Sequence, residues 1–300
     1  MPPGDKGVGI LRENLLLDIL ITGFLQGGIY SLIAMGLSLQ YGVARIFNVS
    51  HGEFIMLTAF LTWIFFTKFD IDPLLCLAIF VPGGFIIGTW LYKLIFRELK
   101  KKTPIPAIYE GNCLLASFGL VYVFQNSALG IWGGEIKGYS YLSFSFKIGD
   151  IAIIANRLLA LIIAIVISTL FYLFLSYTRT GKAIRASAEN PEAASLVGVN
   201  VDRMLTLCFS LGIAMAVIGG ILVSMCYPIS ATMGLEYTVI AIIVVVLGGL
   251  GSISGSFIGG LILGFIGSLV SFWEPSLALV AYYFVFMVLL LIKPTGILRR

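Results

Sequence analysis

The residues best suited to chemistry lie in one short polar segment, Asn48 to Glu53, whose sequence is NVSHGE. It holds the only histidine of the chain, His51, two residues before the carboxylate of Glu53. A histidine and a carboxylate this close could act as a general base and its partner. No nucleophile or metal set accompanies them, and two such side chains cannot complete a zinc site. The segment therefore does not predict catalysis.

Nucleotide and metal motifs are also missing from the sequence. The segment GGLGSISG superficially resembles a dinucleotide fingerprint, which requires a strand–turn–helix unit and an acidic residue about twenty positions on. Its flanks are apolar and helical, and Gly181-Lys182 lacks the upstream glycine of a phosphate-binding loop. The four cysteines stand singly, which favours buried, inert thiols. We predict no cofactor and no metal, and the small net charge of +4 gives no support for nucleic-acid binding.

The elements that must position these residues are long apolar segments. Apolar residues make up 59% of the chain and charged residues 11%, and the mean hydropathy is +1.04. A helix needs about twenty apolar residues to cross a bilayer, and no polar stretch is long enough to enclose a soluble core. The sequence predicts an all-α, polytopic transmembrane bundle of about eight to ten helices. It forms one domain over residues 1–300, and we interpret its N-terminal apolar stretch as a retained first helix.

Nine candidate spans follow from the apolar runs, and the second and seventh are short enough to be tilted, half-spanning or broken. The spans are residues 15–41, 53–68, 73–96, 112–132, 152–176, 204–226, 236–250, 255–272 and 276–292. Two hydrophilic, basic loops interrupt them, Arg97 to Asn112 and Tyr177 to Met204.

The distribution of lysine and arginine predicts the orientation. Both basic loops and the C-terminus fall on one side, which holds 13 of the 19 basic residues and 6 of the 15 acidic ones. Basic residues concentrate on the cytoplasmic side of membrane proteins. We therefore expect a cytoplasmic C-terminus and an N-terminus on the outer side.

The 34 glycines suggest how the helices pack. Gly251, Gly255 and Gly259 follow a small-xxx-small spacing, as do Gly23 and Gly27, and small residues let membrane helices approach closely. The same glycines are also compatible with a helix that breaks beside a cavity. Residues 42–52 and 248–255 share this layout of apolar run, glycine-rich break and apolar run, which suggests an internal repeat.

The loop from residue 177 to 204 contains the signals of a short helix. Asn190 is a good N-cap, Pro191 suits the first helical position, and Glu192 lies near the positive end of the helix. Gly198 is placed to end the helix after about two turns. Residues 181–189 can form a second, basic amphipathic piece. On these signals alone, the helix could simply lie on the membrane surface.

One motif in this loop favours a docking role. Glu192, Ala193 and Ala194, followed by Gly198, resemble the EAA signature of bacterial ABC-importer permeases. The resemblance implies that the short helix fits a groove on a separate ATPase and transmits its movement to the membrane helices. The hydrophobic-proline tail usual in that signature is absent here.

Four longer stretches resemble the H-type permease subunits of branched-chain amino acid importers. The stretches are GGIYSLIAMGLSLQYGVARIFNVSHGEF (27–54), LLASFGLVYVFQN (114–126), GKAIRASAENPEAASLVGVNVDR (181–203) and VLGGLGSISGSFIGGLILG (246–264). The ending KPTGIL (293–298) is similar as well. The resemblance implies an inner-membrane permease that pairs with a second related permease, two ABC ATPase subunits and an extracytoplasmic solute-binding protein.

The predicted function is therefore that of a transport subunit in a bacterial cytoplasmic membrane, not an enzyme. The predicted ATPase-coupling residues are Arg185, Glu189, Pro191, Glu192, Ala193, Ala194 and Gly198. Polar groups at membrane depth usually face a cavity. The predicted residues of the translocation path are therefore Asn48, His51, Glu53, Gly248, Gly249, Gly251 and Gly255. Asn48 and His51 could instead cap a broken helix or bond between helices.

Three rivals to this function stay open. The same machine could import urea, short amides or other polar solutes. The chain could be a secondary transporter that works alone, although its candidate carboxylates, Glu53 among them, fall near span ends. An intramembrane enzyme is disfavoured by the lack of a catalytic set.

Overall fold

A computed structural model describes residues 5–103, 105–148, 151–293 and 296. Arg299, Arg300 and most of the KPTGIL ending lie outside the described residues. The helices are α1 (Asp5–Ala44), α2 (His51–Phe69), α3 (Pro73–Leu91), α4 (Arg97–Lys102), α5 (Pro106–Trp132), α6 (Ala155–Tyr177), α7 (Arg179–Glu189), α8 (Pro191–Leu196), α9 (Val201–Cys226), α10 (Met233–Gly248), α11 (Ile253–Trp273) and α12 (Ala278–Ile292). A π-helical turn joins α3 to α4, and a short 3-10 turn precedes α12.

In the described part of the chain, 8 helical segments are long and apolar enough to cross a membrane. The helix α10 is apolar but shorter, as the sequence predicted for the seventh span. Polar residues fix several helix starts: Asp72 accepts a hydrogen bond from the amide of Leu74 (2.8 Å), and Ser252 accepts one from the amide of Gly255 (3.1 Å). These caps satisfy amides that the helices cannot bond internally. The predicted transmembrane bundle is confirmed.

Three predicted boundaries are wrong. Residues 97–112 are not one loop, because RELKKK is rich in helix formers and extends the third span to Lys102, while Pro106 begins the next helix. The fifth span begins at Ala155 rather than at residue 152. Before it, strands β1 (Ser145–Ile148) and β2 (Ile151–Ile154) form an antiparallel hairpin. The fold is thus helical with one small hairpin between α5 and α6.

Tight glycine contacts join α1 to α11 in antiparallel orientation. Gly27 faces the backbone of Leu261, and Gly23 faces that of Phe265. A Cβ on either glycine would lie 2.8 Å from the opposing Cα atom, so a larger residue would force the helices apart. The predicted packing role is confirmed for this pair.

The basic segments gather at one end of the bundle, which we call the basic end. Arg97 forms an ion pair with Asp202 (3.0 Å), and Arg45 and Lys100 border the same cavity as Glu189. The connections around Lys137 and Ile229, which bond to each other's backbone, lie at the opposite end. The helices α1, α2, α9 and α10 supply most of the buried core between the two ends.

Two helices begin inside the bundle instead of at an end. After α1 the chain turns back, and His51 at the start of α2 reaches the carbonyl of Ile33 (3.1 Å). Along α1, Ile33 lies about 16 Å from the end of the helix at Ala44. The amide of Gly52 bonds to the side chain of Thr238 in the first turns of α10 (2.8 Å). From this shared interior point α2 runs to the opposite end and α10 runs to the basic end.

Candidate functional site

The polar segment between α1 and α2 is held by a network of side-chain hydrogen bonds. The Asn48 carbonyl oxygen accepts from the amide of Ser50 (3.2 Å) and from its hydroxyl (2.7 Å). The Asn48 amide group donates to the side chain of Gln40 (3.2 Å), and Gln40 donates to the backbone carbonyl of Phe209 (3.0 Å). Asn48 therefore joins α1 to the residue that precedes α2, and Gln40 in turn bonds to α9.

The start of α2 packs closely against the first turns of α10. Thr238 accepts the hydrogen bond from the amide of Gly52 and donates to the carbonyl of Val49, both at 2.8 Å. A Cβ on Gly52 would collide with the carbonyl oxygen of Gly234. The lack of a side chain at Gly52 is thus what allows the two helix starts to meet.

Glu53 lies between these two helix starts. Its side chain is fully buried, and within the described residues neither carboxylate oxygen has a hydrogen-bond partner. The carboxyl group faces Gly234 in the first turn of α10. Helix N-termini carry partial positive charge, so the carboxylate lies where the dipoles of both α2 and α10 favour a negative group.

This geometry gives no support for catalysis. Among the described residues, no group of three or more His, Cys, Asp or Glu side chains could hold a metal ion. Asn48, His51 and Glu53 are all fully buried, so the structure describes a closed polar point and not an open channel at this position. His51 bonds through Nε2 to a backbone carbonyl, and its Nδ1 has no hydrogen-bond partner among the residues that the structure describes.

The glycine break predicted beside the path lies elsewhere in the bundle. Gly248 packs on Gly255, and Gly251 packs on Gly42 near the end of α1. Gly249 and Gly251 have φ angles of 97° and 81°, which favour glycine. Along α10, Gly248 is about 21 Å from Gly234. The structure therefore does not bring the two sets of predicted path residues together: one lies inside the bundle and the other at the basic end.

The short loop helix α8 forms as predicted. The Asn190 side chain accepts from the amide of Ala193 (3.0 Å), and Pro191 occupies the first turn. Gly198 has a φ of 85°, and the Val199 amide bonds back to the Ala194 carbonyl (3.0 Å), which ends the helix. The helix stops at Leu196, one residue before the predicted end.

The preceding helix α7 fixes this element to the bundle. Arg185 donates to the carbonyls of Leu175 (2.6 Å) and Ser176 (3.2 Å) at the end of α6. Ile184 and Ser187 are buried, whereas Glu189 is exposed. The basic amphipathic piece predicted here is confirmed as a helix.

On α8 the apolar side chains point away from the protein. Leu196 is 88% exposed and Val197 is 79% exposed, while Ala194 is buried. Pro191, Glu192 and Ala193 are exposed on the same short element. An apolar surface at a polar end of a membrane protein indicates a contact with another protein or with the lipid surface.

Sequence reasoning missed residues that hold the polar segment. Gln40 is a lone amide in an apolar run, and Thr238 and Ser117 are hydroxyls in apolar helices. Ser117 accepts from the amide of Val49 (3.2 Å). A polar side chain within an apolar span was the available signal, because such groups need a partner in lipid.

Comparisons with known proteins agree with one another. The sequence profile of a family described as "Branched-chain amino acid transport system / permease component" matches residues 19–293. The high-affinity branched-chain amino acid permease LivH of Escherichia coli K12 is 30% identical over 95% of this chain and 96% of the relative. BraD of Pseudomonas aeruginosa is 29% identical over the same shares. The probable permease LivH of Methanocaldococcus jannaschii is 28% identical over 90% of this chain and 86% of the relative.

Proposed function

The chain belongs to the permease-component family of branched-chain amino acid transport systems, and we propose that it couples a separate ATPase to substrate movement through α8. The observation that carries this is the exposed apolar pair Leu196 and Val197 on a capped, rigid helix at the basic end. The basic end faces the cytoplasm under the positive-inside rule. Arg185 and Glu189 on α7 and residues 191–198 then form the coupling surface.

Rigidity supports this role. A force applied to α8 reaches α6 because Arg185 bonds to the last carbonyls of that helix. The cap at Asn190 and the turn at Gly198 define the beginning and the end of α8. The wider assembly is a second, related permease beside this one in the cytoplasmic membrane, two ATPase subunits on its cytoplasmic side and an extracytoplasmic binding protein. Branched-chain amino acids are the substrate class, and related polar solutes are the alternative.

The path of the substrate involves the interior point where α2 and α10 begin. Asn48, His51 and Glu53 are sealed there in the conformation described. Opening requires α2 and α10 to separate, which exposes these polar groups. Gly248 ends α10, Gly249 and Gly251 lie in the turn that follows, and Gly255 lies in α11. These glycines permit that movement, because small residues let the end of α10 shift against α1 and α11.

The docking role is tested by charge substitution on α8. Leu196→Glu in the intact transporter should abolish co-purification of the ATPase, since a buried, unpaired carboxylate in the interface is strongly unfavourable. The control is Ile136→Glu, which is 72% exposed at the opposite end. ATPase recovered equally with both variants would refute the proposal.

One observation favours a second candidate, ATP-independent secondary transport. The sequence placed Glu53 near a span end, but α2 begins inside the bundle, so this carboxylate lies deep in the protein. Such a group can carry an ion-coupling role. Uptake into vesicles by the purified chain, driven by a proton gradient without ATP, would establish this candidate. Uptake that requires ATP and the ATPase would exclude it.

A further inference from the structure

A slot opens along the side of the bundle between α6 and α11, with α1 as its floor. Its inner part has a volume of about 220 Å³ and is lined by Met35, Ser168, Tyr172 and Phe257 among others. A second cavity of about 320 Å³ continues toward the basic end. Tyr172 and Ser254 line both, so the two cavities lie next to each other, and we call them together the slot.

Two buried hydroxyl groups line this slot without a partner. Ser168 borders the inner part and Ser38 the outer part, and they are 1% and 0% exposed. Neither hydroxyl bonds to any described residue. Other hydroxyls in the bundle, such as that of Ser31, bond to the carbonyl four residues earlier. A buried hydroxyl without a partner is unfavourable, so the slot favours an occupant that carries oxygen acceptors.

The volume of the slot favours a thin occupant over a second helix. Its two cavities have volumes of about 220 and 320 Å³, whereas a helix about 10 Å wide and 30 Å long occupies on the order of 2,000 Å³. The slot opens on an apolar surface, where Tyr172 is 46% exposed and Ile258 is 43% exposed. A flexible hydrocarbon chain entering from the bilayer fits both the small volume and the apolar walls.

The basic end of the slot carries positive charge. Arg185 lines it, and Arg179 and Lys182 precede Arg185 at steps of three along α7, so the three lie near one face. The first turn of α11 begins at the same place, with Ser254 exposed, and a helix start favours anions. No acidic side chain is among the described residues that line either cavity.

From these features we propose that the slot binds one anionic glycerophospholipid from the leaflet at the basic end. Arg185, Lys182 and the first turn of α11 hold the phosphate. One acyl chain lies against Met35, Tyr172 and Phe257, and the buried hydroxyls of Ser38 and Ser168 rotate about χ1 to donate hydrogen bonds to the ester oxygens. Because the site includes α7, the lipid also fixes the helix that precedes α8.

Native mass spectrometry of the detergent-purified transporter tests this site directly. The probes are phosphatidylglycerol and phosphatidylcholine with identical acyl chains. Two basic side chains at a membrane surface should favour the anionic lipid by roughly thirty-fold. Ser168→Leu, which fills the inner part, should remove the retained lipid. Leu170→Phe is the control, because Leu170 is 59% exposed on α6 outside the slot.

Further measurements separate folding from binding. Should Ser168→Leu fail to purify as a single species, Ser254→Leu gives the same test at an exposed position where the bundle need not adjust. Equal retention of the two lipids, or unchanged retention in the filled variants, would overturn the proposal. A photoreactive residue at position 258 that labels a permease instead of lipid would also overturn it.

Discussion

The hydroxyl of Thr238 offers the sharpest test of how the interior point is held. It accepts from the amide of Gly52 and donates to the carbonyl of Val49, each at 2.8 Å, and Thr238 is fully buried. Thr238→Val keeps the shape but leaves both backbone groups without a partner. Each unsatisfied buried group costs about 1–3 kcal/mol, so the free energy of unfolding should fall by roughly 2–6 kcal/mol. Thr238→Ser keeps the hydroxyl and loses one methyl group, or about 0.8 kcal/mol.

Equilibrium unfolding of the purified chain in mixed micelles measures these differences. The matched control is Thr62→Val in α2, because the buried Thr62 hydroxyl only donates to the carbonyl four residues earlier (2.8 Å), which the helix already bonds. That variant should change stability little. If Thr238→Val were as stable as Thr238→Ser, the two hydrogen bonds would not hold α2 to α10 and the reasoning would fail.

Three other substitutions test separate parts of the structure. Gly52→Val should prevent folding to a monodisperse species because its side chain would strike α10, whereas Gly111→Val, whose Cβ meets nothing within 4 Å, should purify normally by size-exclusion chromatography. Gln40→Leu should lower the free energy of unfolding by about 1–3 kcal/mol, since it leaves the buried side-chain amide of Asn48 without its acceptor; no change would contradict the network. Asn190→Ala should destabilise α8 by about 1 kcal/mol and speed hydrogen exchange there, while Asn190→Asp keeps the cap and should not.

The sequence was sufficient for the features that rest on local chemistry. The α8 helix followed from Asn190, Pro191 and Gly198, because caps and helix ends depend on a few neighbouring residues. The spans were predicted from the length of the apolar runs. The basic segments were predicted to lie at one end because an even number of spans separates them. The contact between Gly23–Gly27 and α11 was also predictable as close packing, although its partner was not.

Features that depend on tertiary packing could not be predicted from the sequence. The break before α2 was visible in NVSHGE, but its depth was not, since depth is set by where the chain turns back after α1. For the same reason Glu53 was placed near the end of a span, whereas it is buried inside the bundle. The hairpin before α6 was missed because its apolar second strand reads as the beginning of a helix. As a hydroxyl in an apolar span, Thr238 was visible as a group that needs a partner, but its partners were not, because they are more than 180 residues away.

The shortness of α10 has a consequence for biogenesis. Its 16 residues extend about 24 Å, less than the roughly 30 Å of a bilayer core, so the translocon has no complete span to release. The Thr238 hydroxyl in its first turns bonds to Gly52 and Val49 at the start of α2, and its end rests on α11, which the ribosome makes later. We therefore expect α10 to remain at the insertion site until α11 emerges and to enter the lipid with it as a pair. Truncation of the chain just after residue 250 should leave this segment accessible to water-soluble labels.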